Sequence, residues 1–247
     1  DVCSSDLVKG LRGTVRMGLE VRFRFDYGAV TPWVRRHTDG VTAVAGPDAV
    51  QFCCDAKLHG QQWSTVADFS VAAGQQVTSI MTWYPSYEEP PPKRDAHALL
   101  AGTLRWWRDF SARCKCAPEW RDAVVRSTIT LKALAHDRTG GIVAAATTSL
   151  PELIGGVRNW DYRYCWLRDA TFTLYALMNT GHMDEAKAWR QWLVRAAAGE
   201  PSTLQIMYSL TGERRLTETA LPWLSGFAES QPVRIGNAAH TQRQMDV

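Results

Sequence analysis

Long apolar runs are missing from this 247-residue chain. None approaches the roughly 20 residues that a membrane-spanning helix needs, so no membrane partner is expected. Runs of Lys or Arg are missing too. With 28 basic and 25 acidic residues the net charge is only +3, which argues against a nucleic-acid footprint. Cysteine is scarce, at six, too few to staple a disulfide scaffold of this length. Cys114-Lys115-Cys116 has no second Cys or His pair at zinc-binding spacing, and Cys53-Cys54 reads as strand packing. The six histidines form no ligand set, and Gly140-Gly141 and Gly155-Gly156 lack a phosphate-loop frame. No metal and no cofactor is expected. The chain opens on no signal peptide, so the expected location is cytoplasmic. Hydrophobic residues at 45% and charged residues at 21% exclude disorder. What is abundant is tryptophan, at 11, joined by 7 tyrosines. Such side chains build large cores or flat walls on which sugars stack.

The period of the apolar residues changes once. Over residues 14–26, Val15, Met17, Leu19, Val21, Phe23 and Phe25 alternate with polar residues, as in a strand with one buried face. Further strands are predicted at 29–36, 41–45, 49–54, 65–71 and 76–84, punctuated by Gly turns, which suggests an antiparallel β-sandwich. Pro90-Pro91-Pro92 then marks a stiff linker. Beyond it, helical spacing places helices at 95–113, 119–136, 166–179 and 183–197, with another starting near 237. The domains expected are therefore a β-sandwich over 8–88, a linker over 89–95, and a helical domain over 96–247.

Both ends depart from this pattern. Asp1 to Leu7 show neither period and match what a common sequencing adapter yields on translation. They are expected to be non-native, with the true segment starting near Val8. The other end stops inside what reads as a new helix, without a cap, so an internal piece of a longer protein is expected.

The densest polar-aromatic cluster runs from Arg158 to Asp169 and holds Trp160, Asp161, Tyr162, Arg163, Tyr164, Trp166 and Arg168 between its ends. A hexose needs charge-assisted partners for its hydroxyls and an aromatic wall for its C–H face. Asp169 falls in the first turn of a helix, where the dipole favours its charge. The same residues suit a helix-capping segment with an Arg–Asp ion pair, and composition alone does not separate the two readings.

The run Thr148-Ser149-Leu150-Pro151-Glu152-Leu153-Ile154-Gly155-Gly156-Val157 continuing through Arg158–Asp169 to Ala170-Thr171-Phe172 resembles bacterial members of glycoside hydrolase family 15, the glucoamylase and trehalase-like group. So do Pro232-Val233-Arg234-Ile235-Gly236-Asn237-Ala238-Ala239-His240, and Phe25-Asp26-Tyr27-Gly28 with Pro32-Trp33-Val34. The resemblance covers almost everything from Val8 onward. It implies an N-terminal antiparallel β-sandwich followed by the first part of an (α/α)6 barrel. It implies hydrolysis of an α-glucoside (trehalose or a short α-glucan) from the non-reducing end with inversion. The residues it assigns to the terminal glucose are Arg168 and Asp169, with Trp166 beside them, Tyr162 at the reaction centre and Asn237 at the border. His240 and Gln244 are weaker candidates.

An inverting glycosidase needs a general acid and a general base about 6.5–9.5 Å apart. In the family both are Glu residues lying beyond the last motif present here. Glu152, Glu213 and Glu218 match neither, so no catalytic residue is expected within this chain. It should act as part of a parent hydrolase and be inactive alone. The alternative is a non-catalytic carbohydrate-binding or regulatory protein that keeps only the sugar subsite.

Overall fold

The computed structural model describes residues 2–242, with side chains from residue 4 onward. The chain divides into two compact units, Asp1–Trp106 and Trp107–Val247. The division falls inside a helix, some ten residues beyond the end of the linker expected from the proline run.

Unit 1 is built of antiparallel strands. A five-stranded sheet has the order β1-β8-β5-β4-β3, formed by β1 (Val2–Lys9), β3 (Trp33–His37), β4 (Gly40–Ala45), β5 (Asp48–Cys54) and β8 (Gln76–Pro85). A three-stranded sheet, β2-β7-β6, holds β2 (Thr14–Val21), β6 (His59–Gln61) and β7 (Ser64–Ala72). The two sheets share one cluster: Val41, Ala43 and Phe52 from the larger, Ala67 from the smaller, with Phe23 and Leu58 from the connections. Phe23 meets Phe52 edge to face, ring centroids 6.2 Å apart, a favoured aromatic geometry. Alternation explains the sidedness. Along β8, Ile80, Thr82 and Tyr84 are buried while Met81 and Trp83 face out, as a period of two requires.

Three local readings are corrected. Asp1 to Leu7 were expected to carry no element, yet β1 begins at Val2 and pairs with β8 from Val2↔Trp83 to Lys9↔Gln76. That ladder is made of main-chain groups and needs no side-chain period. The first long strand ends at Val21, and Asp26 and Tyr27 turn with positive φ, 47° and 53°. Gly60, which falls between predicted strands where a Gly turn was expected, lies in β6. Here Gln61↔Ser64 closes a two-residue hairpin into β7. Its central residues, Gln62 and Trp63, have φ of 46° and 65°. A type I′ turn needs exactly such angles and normally uses Asn-Gly. Each bulky residue held there costs about 1–3 kcal/mol.

Unit 2 holds the end of α1 (Ala96–Ala112), then α2 (Arg121–Ala133), α3 (Leu167–Asn179) and α4 (Met183–Ala196). These match the helical periods read from the sequence. α3 buries Leu167, Ala170, Leu174 and Leu177, and α4 buries Glu185, Trp189, Trp192 and Ala196; both sets form one stripe of a 3.6-residue repeat. Of these, Leu167, Ala170, Leu174, Trp189, Trp192 and Ala196 pack with Ile142, Val143, Cys165 and Tyr208. The helix expected near 237 is a short 3-10 turn, Ala238–Thr241. Two-residue strands pair within the long connections: β9 (Cys165–Trp166) with β10 (Met207–Tyr208), and β11 (Thr219–Ala220) with β12 (Arg234–Ile235). No helix among the described residues is long and apolar enough to cross a membrane.

Candidate functional site

The segment before α3 is clamped on two sides. Ala144 and Ala145 donate their backbone N–H groups to the carbonyls of Tyr164 (3.0 Å) and Tyr162 (2.9 Å), and Ser149 N–H donates to Trp160 O at 2.9 Å. On the other side β9 pairs with β10. Cys165 is wholly buried, and burial pushes its thiol pKa up to about 12, so it stays protonated and packs as a small hydrophobe. Trp166, immediately before α3, is buried against Ile206, Met207 and Leu216. Tyr162 lies tilted beside it, ring centroids 5.8 Å apart, and is itself exposed.

Asp161 is the hub of the loops. Its side chain is fully buried, and Arg163 grips it with two bonds, Nε to Oδ1 at 2.9 Å and Nη2 to Oδ2 at 2.7 Å. Gly236 N–H adds a bond to Oδ2 at 3.2 Å, and Asn237 Nδ2 donates to Asp161 O at 3.0 Å. Nearby, the Thr148 and Ser149 hydroxyls both donate to Arg234 O, at 2.6 and 3.0 Å. Asn159 Nδ2 lies 3.3 Å from the carbonyls of both Ser230 and Pro232. The Arg234 guanidinium sits 4.5 Å over the Trp160 ring, a cation–π contact, and pairs with Glu218 at 3.0 Å. The 148–163 loop and the 230–240 loop are thus sewn together by polar side chains.

Against this frame the residues singled out from sequence separate into groups. Arg168 and Asp169 begin α3, their charged atoms 3.6 Å apart and both side chains part-exposed. Arg168 borders a groove of about 470 Å³ with Thr171, Phe172, Trp189, Leu193 and Leu204. Tyr162 and Trp166 meet each other but do not line that groove. Asn237 is buried, and both atoms of its amide are engaged: Nδ2 on Asp161 O, Oδ1 accepting Ala239 N–H at 3.0 Å. His240 Nδ1 lies 2.8 Å from Asn237 O; a carbonyl only accepts, so Nδ1 carries the proton. Gln244 lies outside the described residues. Glu152 pairs with Arg158 at 2.8 Å, Glu218 with Arg234, and Glu213 is exposed in irregular chain. Among the described residues no group of three His, Cys, Asp or Glu side chains stands where it could hold a metal.

Sequence reasoning placed Asp161 in the cluster without seeing its role. The available signal was the Asp161-x-Arg163 spacing, which lets one guanidinium reach back to the carboxylate; the contacts to Gly236 and Asn237, some 75 residues away, left no local trace.

The sequence profile of glycosyl hydrolases family 15 matches residues 119–247. The chain belongs to that family. It is 48% identical over 253 residues to a trehalase of Mycolicibacterium smegmatis, covering 97% of this chain and 38% of that protein. It is 34% identical over 255 residues to a trehalase of Mycobacterium tuberculosis, covering 97% of this chain and 37% of the relative. A trehalase of Thermoplasma acidophilum is 29% identical over 232 residues, covering 94% of this chain and 40% of its own length. The chain therefore spans about two fifths of the length of these curated relatives.

Proposed function

We propose that this chain is the N-terminal and central part of an inverting exo-acting α-glucoside hydrolase, with trehalose as the favoured substrate and short α-glucans as the other candidates. The observation that carries the reading is the set of relatives named trehalase, aligned over nearly the whole chain, together with the Arg168–Asp169 pair opening α3. In this reading the helices of unit 2 begin an (α/α)6 barrel. Apolar side chains exposed on α3 and α4, such as Phe172, Tyr175 and Val194, are the faces that further helices would cover.

The terminal glucose is held by Arg168 and Asp169. The guanidinium donates to hydroxyl oxygens and the carboxylate accepts hydroxyl protons, each bond strengthened by charge. Tyr162, the exposed ring of the pair, offers the wall, and Trp166 backs it from the core. Asn237 acts one step back, fixing the loop that carries Asp161 and Tyr162. The two catalytic carboxylates lie outside this chain, so the isolated chain is inactive.

The test is Asp169→Asn in a protein extended to the length of the trehalase relatives. Removing one charge-assisted bond costs about 1.5–3 kcal/mol. The expected outcome is a fall in kcat/KM of roughly ten- to a hundredfold, with more if the bond tightens in the transition state, at an unchanged melting temperature. Near-wild-type kinetics would make Asp169 a helix cap; lost activity with a collapsed melting temperature would make it a folding ion pair.

A further inference from the structure

Unit 1 carries a groove of about 490 Å³ with no part in the reading above. It opens between the edge strand of each sheet, β3 and β6. Its floor is the apolar core at Phe23, Val41 and Leu58; Trp33 stands on one rim and Trp63 on the other. The two indoles are 82% and 83% exposed, against the usual habit of tryptophan to bury most of its surface.

Trp63 is held there deliberately. It occupies the second central position of the β6–β7 turn at φ 65°, where glycine is the unstrained residue. The next residue locks the turn: Ser64 is buried, donates to Glu20 Oε1 at 2.7 Å and accepts from Arg22 Nε at 2.8 Å. A strained conformation retained at an exposed aromatic points to a use of that side chain beyond packing.

The rest of the lining defines the ligand. Arg24 and Arg36 each bond a backbone carbonyl, of Phe23 and of Leu58; His59, Gln61 and Gln62 add exposed polar groups, and no carboxylate is present. Such a lining matches a ligand rich in oxygen lone pairs and opposes a cationic one. Flat apolar walls with amide and guanidinium groups between them suit pyranose rings, apolar on their C–H faces and polar at their edges. We propose that this groove binds an α-glucan oligosaccharide, with Trp33 and Trp63 as its stacking platforms. That the sugar is α-linked glucose rests on the hydrolase reading; the groove itself stands on unit 1 alone.

The test is native gel electrophoresis in gels with and without soluble α-glucan, run on the chain and on a longer protein containing it. Retardation by the glucan is expected. Trp33→Ala, at an exposed edge position, should weaken it about tenfold. Trp63→Gly should abolish it while leaving the melting temperature equal or higher, because glycine relieves the turn; this variant separates binding from folding. No retardation of the natural sequence, or retardation that survives both tryptophan substitutions, overturns the proposal. Retardation lost only with Asp169→Asn overturns it too, and leaves the hydrolase subsite standing. A concentration-dependent dimer that Trp63→Gly dissolves, without glucan retardation, would make the groove a contact between copies.

Discussion

In unit 1 the long-range ties are main-chain ladders: β2 to β7, β5 to β8, β1 to β8, each continuous over seven or more residue pairs. In unit 2 the helices pack on apolar stripes, but the loops between them hang on individual polar side chains, Asp161 above all. A ladder spreads its free energy over many equivalent bonds and tolerates changes of side chain. A hub concentrates it. Loops that build a binding site have no ladder available, because their backbones must stay irregular to aim side chains, and their polar groups must then be satisfied one by one.

The comparison breaks most readily at the hub. Asp161→Ala strips the buried partner from Arg163 and leaves Gly236 N–H unpaired. Arg163 keeps about a third of its side chain in solvent, so the cost is that of the lost charge-assisted bonds, about 1.5–3 kcal/mol. Denaturant melts should show this loss in unit 2, while amide exchange of the β4–β5 ladder in unit 1 stays unchanged. Equal loss of protection in both units would show that they do not differ as argued.

A second test uses alkaline pH. Cys165 has its thiol pKa pushed up to about 12 by burial, against about 8.5 in an unfolded chain. Above pH 8.5 the unfolded state has released the proton and the folded state has not. Stability is therefore fully present below that pH and falls as pH rises, by at most about 1.4 kcal/mol per pH unit from this group. Cys165→Ala should flatten the fall. Burial also raises Cys53 and Cys54 in unit 1, and their substitution should act on unit 1 alone.

The smallest expected effect is on the acid side. His182 is fully buried, stacked on Phe110 with ring centroids 4.0 Å apart, and neither ring nitrogen has a hydrogen-bond partner. Burial lowers its pKa; nearby Glu185 opposes this, while Arg113 and Lys132 add to it. A depressed histidine contributes stability above its unfolded value near 6.5, lost as pH falls below it. His182→Phe should reduce the difference in melting temperature between pH 7 and pH 5.

How much of this was legible follows the same divide. The strands with alternating residues, β2, β4, β5, β7 and β8, and all four helices announce themselves by period. β1 does not, because a ladder can form on residues such as Ser4, Ser5 and Asp6 without any period. β6 does not, because three residues containing Gly60 are too short to show one. In the site, Arg168, Asp169, Tyr162 and Trp166 stand out as residue types gathered in one stretch. Asn237 was also singled out, but its amide is spent inside the protein, a fact fixed by Asp161 far away in sequence. The groove of unit 1 was hidden for the same reason: Trp33 and Trp63 come to line one groove only through the sheets.

The sewn loops also set an order of events. The bonds from Asn159, Asp161 and Ser149 reach residues 71 to 85 positions further along the chain. Closing spans of that length delays contact formation. On a ribosome, unit 1 can complete its ladders once β8 has emerged, as N-terminal domains do. The loops cannot: Asp161 meets Arg163 at once, but Gly236 and Asn237 reach it, and Ser230 and Pro232 reach Asn159, only when the later segment follows them out. For that interval the polar centre of unit 2 lacks the bonds that fix its loops, and water must satisfy those groups instead.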